Sequence, residues 1–178
     1  MAPPTAATLP STLLDHAERT PDKVFLEVWD EVEGVVTRLT YRELASSMLS
    51  AAQWLRAAAG LQRGEYCAML AHNSTGYLAI SLGAMSLGAI SLNLNWRMPD
   101  ATTKVLLEDL KAKVLVASKP FRATATAMHQ KLGIKMVLIE SICSELGSPF
   151  EPPQPDHAAS LSAEIAAEVR PPPLQREA

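Results

Sequence analysis

Apolar and polar positions change period several times along this chain, and each change marks an element. Leu13, Leu14 and Ala17 form one stripe, which predicts a short helix over Ser11–Thr20, capped by Ser11 and stopped by Pro21. Val24, Leu26 and Val28 then alternate with Phe25, Glu27 and Trp29, the period of a strand. Val35–Leu39 reads as its antiparallel partner, with Gly34 free to take a positive φ in the E-V-E-G turn. Thr40-Tyr41-Arg42-Glu43 has the spacing of a capping box. Leu44, Met48, Ala52 and Leu55 follow at helical spacing, and Gly60 ends that helix.

Beyond Gly64 the pattern changes. Tyr66–Leu70, Ala89–Leu92, Lys113–Ala117 and Lys135–Ile139 are short, mostly apolar runs, as parallel strands covered on both faces are. Helical segments near Ser74–Leu87, Pro99–Leu110 and Phe121–Leu132 separate them. Strands alternating with helices imply crossover connections, so the expected fold class is α/β. It comprises a parallel sheet with helices on both faces, preceded by an N-terminal helix and β-hairpin. Pro99 suits the first turn of its helix, and Gly83 and Gly88 stand where close helix–sheet packing requires small residues. After Gly147 the composition shifts: seven of the 13 prolines lie between 149 and 173. The chain is therefore read as one packed portion, 9–147, and a proline-rich tail, 148–178, in which only Ala158–Val169 looks helical.

Tyr66–Trp96 has no charged residue and is long enough to raise a membrane span. Asn73, Ser74, Gly76, Gly83, Gly88, Asn93 and Asn95 interrupt it, and a buried strand–helix–strand unit accounts for it better. Composition agrees with a soluble domain: 48% hydrophobic, 20% charged, formal net charge -3. The absence of a basic cluster argues against nucleic acid and against an anionic membrane surface. Aromatics are only 5% of residues, so Ala, Leu, Val, Ile and Met must build the core. Cys67 and Cys143 fit neither a redox pair nor a metal site and read as reduced thiols of a cytoplasmic protein. The N-terminus has neither the basic nor the apolar region of a signal peptide.

Candidate chemistry is sparse. The eight glycines are dispersed, with no G-x-G-x-x-G and no G-x-x-x-x-G-K to converge backbone N–H groups on phosphate oxygens. No G-x-S-x-G surrounds any serine, and Asn73-Ser74 reads as a helix cap. Glu108 and Asp109 lie on a solvated helix end, and the four histidines are scattered. Arg97 differs. It closes the uncharged segment beyond the C-terminal end of a strand, where open α/β sheets gather ligands. A guanidinium there can hold a phosphate or carboxylate bidentately.

Five motifs in order resemble one family. They are T-L-L-D-H-A-E-R-T-P-D-K, L-T-Y-R-E-L, G-L-Q-R-G-E-Y-C-A-M-L-A-H-N-S, L-G-A-M-S-L-G-A-I-S-L-N-L-N-W-R-M and K-V-L-L-E-D-L-K-A-K-V-L-V-A. Together they resemble the N-terminal part of the AMP-dependent adenylate-forming ligases, in particular acyl-CoA synthetases, over roughly residues 9–140. Gly64-Glu65 stands where the family usually has Gly-Asp. The resemblance implies activation of a carboxylic acid with ATP and Mg²⁺, followed by transfer of the acyl group to CoA. It also implies CoA contacts for Arg97 and Asn95, from the N-x-R-M segment. The family's Y-T-S-G-T-T-G phosphate loop, its adenine and ribose segments and its catalytic lysine are not among these residues. The expected function is therefore an inactive N-terminal fragment of an acid–CoA ligase that binds none of its cofactors productively and has no catalytic residue. The alternative is a non-catalytic interaction module made from the same half-domain.

Overall fold

The computed structural model describes residues 7–30 and 35–146. Helix α1 (Leu9–Arg19) leads into an antiparallel hairpin of β1 (Val24–Asp30) and β2 (Val35–Thr40). Helix α2 (Tyr41–Ala59) follows, then β3 (Tyr66–Leu70), α3 (Thr75–Ser86), β4 (Ile90–Asn93), α4 (Asp100–Asp109) and β5 (Val114–Ala117). A 3-10 turn (Lys119–Phe121), α5 (Arg122–Leu132), β6 (Lys135–Leu138) and α6 (Ile139–Glu145) complete the order. The Gly34 turn and the tail expected from residue 148 lie outside the described residues.

Side-chain caps set where the helices begin. Thr40 and Glu43 form the capping box read from the sequence: Thr40 N–H donates to Glu43 Oε2 at 2.8 Å, and Glu43 N–H to Thr40 Oγ1 at 3.3 Å. Helix α1 starts earlier than expected. Its cap is Thr8, and Ser11 is the reciprocal partner three residues on, with Ser11 N–H donating to Thr8 Oγ1 at 3.2 Å. Pro10 sits in the first turn, where no N–H is needed. Pro99 is the cap residue of α4 rather than a member of its first turn. Gly60 ends α2 in the left-handed conformation, φ 66°.

The four-stranded sheet has the order β4-β3-β5-β6, with every pair parallel. Cys67, Met69, Val114 and Val116 face α2, α3 and α6, while Ala68, Leu70, Leu115 and Ala117 face Leu107 of α4 and Ala125 and Met128 of α5. Burial on both faces is why these strands carry no alternation. Tyr66–Trp96 is accordingly β3, α3 and β4 with their loops, and among the described residues no helix is long and apolar enough to cross a membrane.

Helix α3 is buried almost all round, wedged between α2 and the sheet. That position corrects the reading of Gly83, whose close approach is to a helix and not to the sheet. A Cβ there would lie 2.9 Å from Ala52 N and 3.0 Å from Met48 O. Gly88 likewise is a turn after α3, with φ 70°, and not a sheet contact. Helix α6 was not expected. The last strand stops one residue before Ile139, because Ile139 and Ile142 are taken into the core beside α3, where the missing side chain of Gly76 leaves room.

Candidate functional site

A parallel sheet parts its loops where neighbouring strands send the chain in opposite directions. Here that place lies between β3 and β5. Strand β3 continues through α3 to β4 on one side, and β5 through α5 to β6 on the other. The segments that leave the C-terminal ends of β3, β4 and β5 run over residues 71–74, 94–99 and 118–121.

One aromatic ring from each segment meets at this rim. His72 is edge-on to Trp96 and to Phe121, with centroids 4.8 Å apart in both cases, and Trp96 lies 6.0 Å from Phe121. The backbone explains the meeting. Leu94 N–H donates to Met69 O at 2.9 Å, which buries Leu94 and leaves Trp96 42% exposed beyond it. Ser118 N–H donates to Leu70 O at 3.2 Å, and Phe121 N–H to Ser118 O at 2.9 Å, turning the third segment back toward His72.

Arg97 stacks on this cluster, its Cζ 4.4 Å from the centroid of the Trp96 ring. Asn95 holds the turn. Its Oδ1 accepts from Arg97 N–H at 3.0 Å, and its carbonyl accepts from Met98 N–H at 2.9 Å. The structure thus brings Asn95 and Arg97 together. The Asn95 oxygen is engaged with backbone, so its amide NH₂ is the end left for a ligand. Arg97 is exposed, and no carboxylate pairs with it among the described residues.

His72, Trp96 and Phe121 were missed as site residues from sequence. The available signal was position, because each follows soon after the end of an apolar strand run. A second polar spot, also missed, lies on the same rim between β5 and β6. Glu140 Oε1 accepts from Lys119 N–H at 2.9 Å, while Glu140 Oε2 and Ser118 Oγ are enclosed without a partner.

Neither thiol is set up as a nucleophile. Burial pushes Cys67 up to about 12. Cys143 is raised by burial and, secondarily, by the negative charge of Glu140. Among the described residues no cluster of His, Cys, Asp and Glu could hold a metal ion. Backbone amides, one guanidinium and aromatic faces can bind an anion with an attached planar or apolar group.

A family model described as AMP-binding enzyme matches residues 13–177. A 4-coumarate–CoA ligase-like protein of Oryza sativa subsp. japonica is 34% identical over 119 residues, covering 67% of this chain and 21% of the relative. A 2-succinylbenzoate–CoA ligase of Oceanobacillus iheyensis is 30% identical over 123 residues, covering 69% of this chain and 24% of the relative. The chain therefore spans between a fifth and a quarter of the length of these relatives. Among solved structures, a Mycobacterium tuberculosis fatty acyl CoA synthetase superposes with a TM-score of 0.66 at 22% identity, over 81% of this chain and 29% of that one. The o-succinylbenzoate coenzyme A synthetase of Bacillus subtilis, in complex with AMP, gives 0.64 at 19% identity, over 74% of this chain and 32% of that one.

Proposed function

The chain belongs to the AMP-binding enzyme family of acid–CoA ligases, and from that premise we propose that it is an N-terminal portion of such a ligase, without activity of its own. The observation that carries the proposal is the coverage: all the similarity falls on a quarter or less of each curated relative. The intact reaction joins a carboxylic acid to ATP as an acyl-adenylate and then passes the acyl group to CoA. Its chemistry depends on placing phosphates and stabilising their charge. The sequence has no G-x-x-x-x-G-K and no two glycines within three residues of each other, the pattern from which a phosphate-binding loop is usually built.

Within that function, Arg97 serves the phosphates of CoA. The guanidinium lies over the Trp96 ring, and the Asn95 turn holds the backbone beneath it. A planar fork fixed in this way meets a phosphate with less ordering cost than a free side chain does.

ATP–pyrophosphate exchange with a panel of carboxylic acids is expected to stay at background. Clear exchange with any acid would overturn the inactivity. CoA titrated into the chain is expected to bind weakly, with a dissociation constant on the order of a millimolar. Arg97→Ala is expected to weaken that binding by about tenfold, the worth of one charge-assisted contact. Pantetheine, which has no phosphate, should not distinguish the two proteins. Equal CoA affinity in both would remove Arg97 from the site and leave the family assignment untouched.

A further inference from the structure

Strand β4 forms one edge of the parallel sheet, and no described strand pairs with its outer side. Its amides alternate in direction. Ile90 N–H donates to Glu65 O at 2.8 Å and Leu94 N–H to Met69 O at 2.9 Å, both toward β3. The N–H and C=O groups of Ser91 and Asn93 therefore point away from the sheet. Natural sheets guard such an edge with Lys, Pro, a bulge or a covering segment. The opposite edge is guarded: β6 begins with Lys135, whose ammonium donates to the Ala58 carbonyl. Among the described residues strand β4 has no such guard. From Gly88 to Trp96 there is neither a charge nor a proline, and Ile90 stays 42% exposed.

We propose that this edge is a self-association surface, which takes β4 of a second copy of the chain, antiparallel about a two-fold axis at Leu92. The alternation dictates the register. With Leu92 opposite Leu92, Ser91 stands opposite Asn93 of the second copy, and Asn93 opposite Ser91. Both pairs then carry outward-pointing groups, and each exchanges two N–H···O bonds. Ile90 falls opposite Leu94. Because Leu92 is in register with Ala68, the residues Ile90, Leu92 and Leu94 lie on the face that α4 and α5 cover. In the pair they become one apolar strip, while Ser91 and Asn93 meet on the other face.

A two-fold contact needs a patch that matches itself, and this one does. Apolar meets apolar and no like charges face each other. The Ser91 hydroxyl is already 2.7 Å from Ser81 Oγ and donates to Asn93 Oδ1 at 3.0 Å within its own strand, so the polar bonds across the axis are those of the backbone. The joined sheet would double the present four strands, still below the limit of about ten that open sheets reach.

Sedimentation velocity on the whole chain, from low to high micromolar, tests this. A reversible dimer is expected. Asn93→Pro removes an outward N–H and no bond to β3, whereas Ile90→Lys places an ammonium at the exposed position. Either is expected to weaken the dimer by at least about tenfold, with unchanged far-ultraviolet circular dichroism. Amide exchange at Ser91 and Asn93 should slow as concentration rises, and exchange at Ile90 and Leu94 should not change. A monomer at every concentration would overturn the proposal, as would association that both variants leave intact. Slow exchange of Ser91 and Asn93 in the monomer would also overturn it, since another segment of the chain would then cover the edge. If Asn93→Pro fails to fold, Ile90→Lys decides the matter alone.

Discussion

Gly83→Ala is expected to destabilise the fold by about 2–3 kcal/mol, although alanine is the better helix former. On propensity alone the change would gain about 1 kcal/mol. The contacts decide the sign. The added methyl would meet Ala52 N at 2.9 Å, Met48 O at 3.0 Å and Ala51 Cβ at 3.0 Å. Two of these are backbone atoms of α2, and no change of rotamer can move them away. The helices must separate, and Met48, Ala51, Ala52 and Ile80, all almost fully buried, then lose close packing. A lower urea midpoint with an unchanged slope is the expected result. Gly76→Ala is the control. Its nearest atoms are the side-chain ends Ile139 Cγ2 at 2.9 Å and Cys143 Sγ at 3.2 Å, which can shift, so its cost should be smaller. A Gly83→Ala protein more stable than the original would show that α2 and α3 are not in such close contact.

Raising the pH should destabilise the fold over a range to which Cys67 contributes. This thiol is wholly enclosed, and burial lifts it from 9.0 to about 12. In the unfolded chain it ionises near its ordinary value, and in the fold it stays neutral. A group raised in the fold contributes full stability below its unfolded value and loses it as pH rises toward its folded value. Stability should therefore be steady below about pH 8 and fall between about pH 9 and 12, by roughly 1.4 kcal/mol per pH unit for this group. Burial raises Tyr77 and Cys143 in the same direction, so they add to the slope. Cys67→Ala should remove the contribution of Cys67 and flatten the fall, as measured by urea midpoints across the range. An identical slope in that variant would refute the assignment.

Much of the fold was legible because its signals are local. The Thr40–Glu43 box, the glycine at 60 and the apolar runs of β3 and β5 each act within a few residues of themselves. Helix α6 was not legible. Two isoleucines three residues apart say little until Gly76, more than sixty positions earlier, leaves space for them. The role of Gly83 was misread for a related reason. Sequence shows that a small residue is needed, but not which surface comes close. Of the candidate site, Arg97 was singled out by its position beyond a strand, and Asn95 with it only through the family resemblance. The three-ring cluster was not, because His72, Trp96 and Phe121 are far apart in the chain and each alone is unremarked.

Period, capping and turn chemistry along the chain were enough to specify an α/β fold and the family whose opening motifs it carries. Those properties depend on neighbours a few residues away, so they survive without knowledge of the packing. The strand order β4-β3-β5-β6 was settled only by folding, and much followed from it. It placed the parting of the loops between β3 and β5, gathered His72, Trp96 and Phe121 there and set Arg97 above the indole. Among the described residues it also left β4 unpaired on its outer side. Which strand lies beside which is a balance of contacts between distant segments, and that balance exists only once the helices have covered both faces of the sheet.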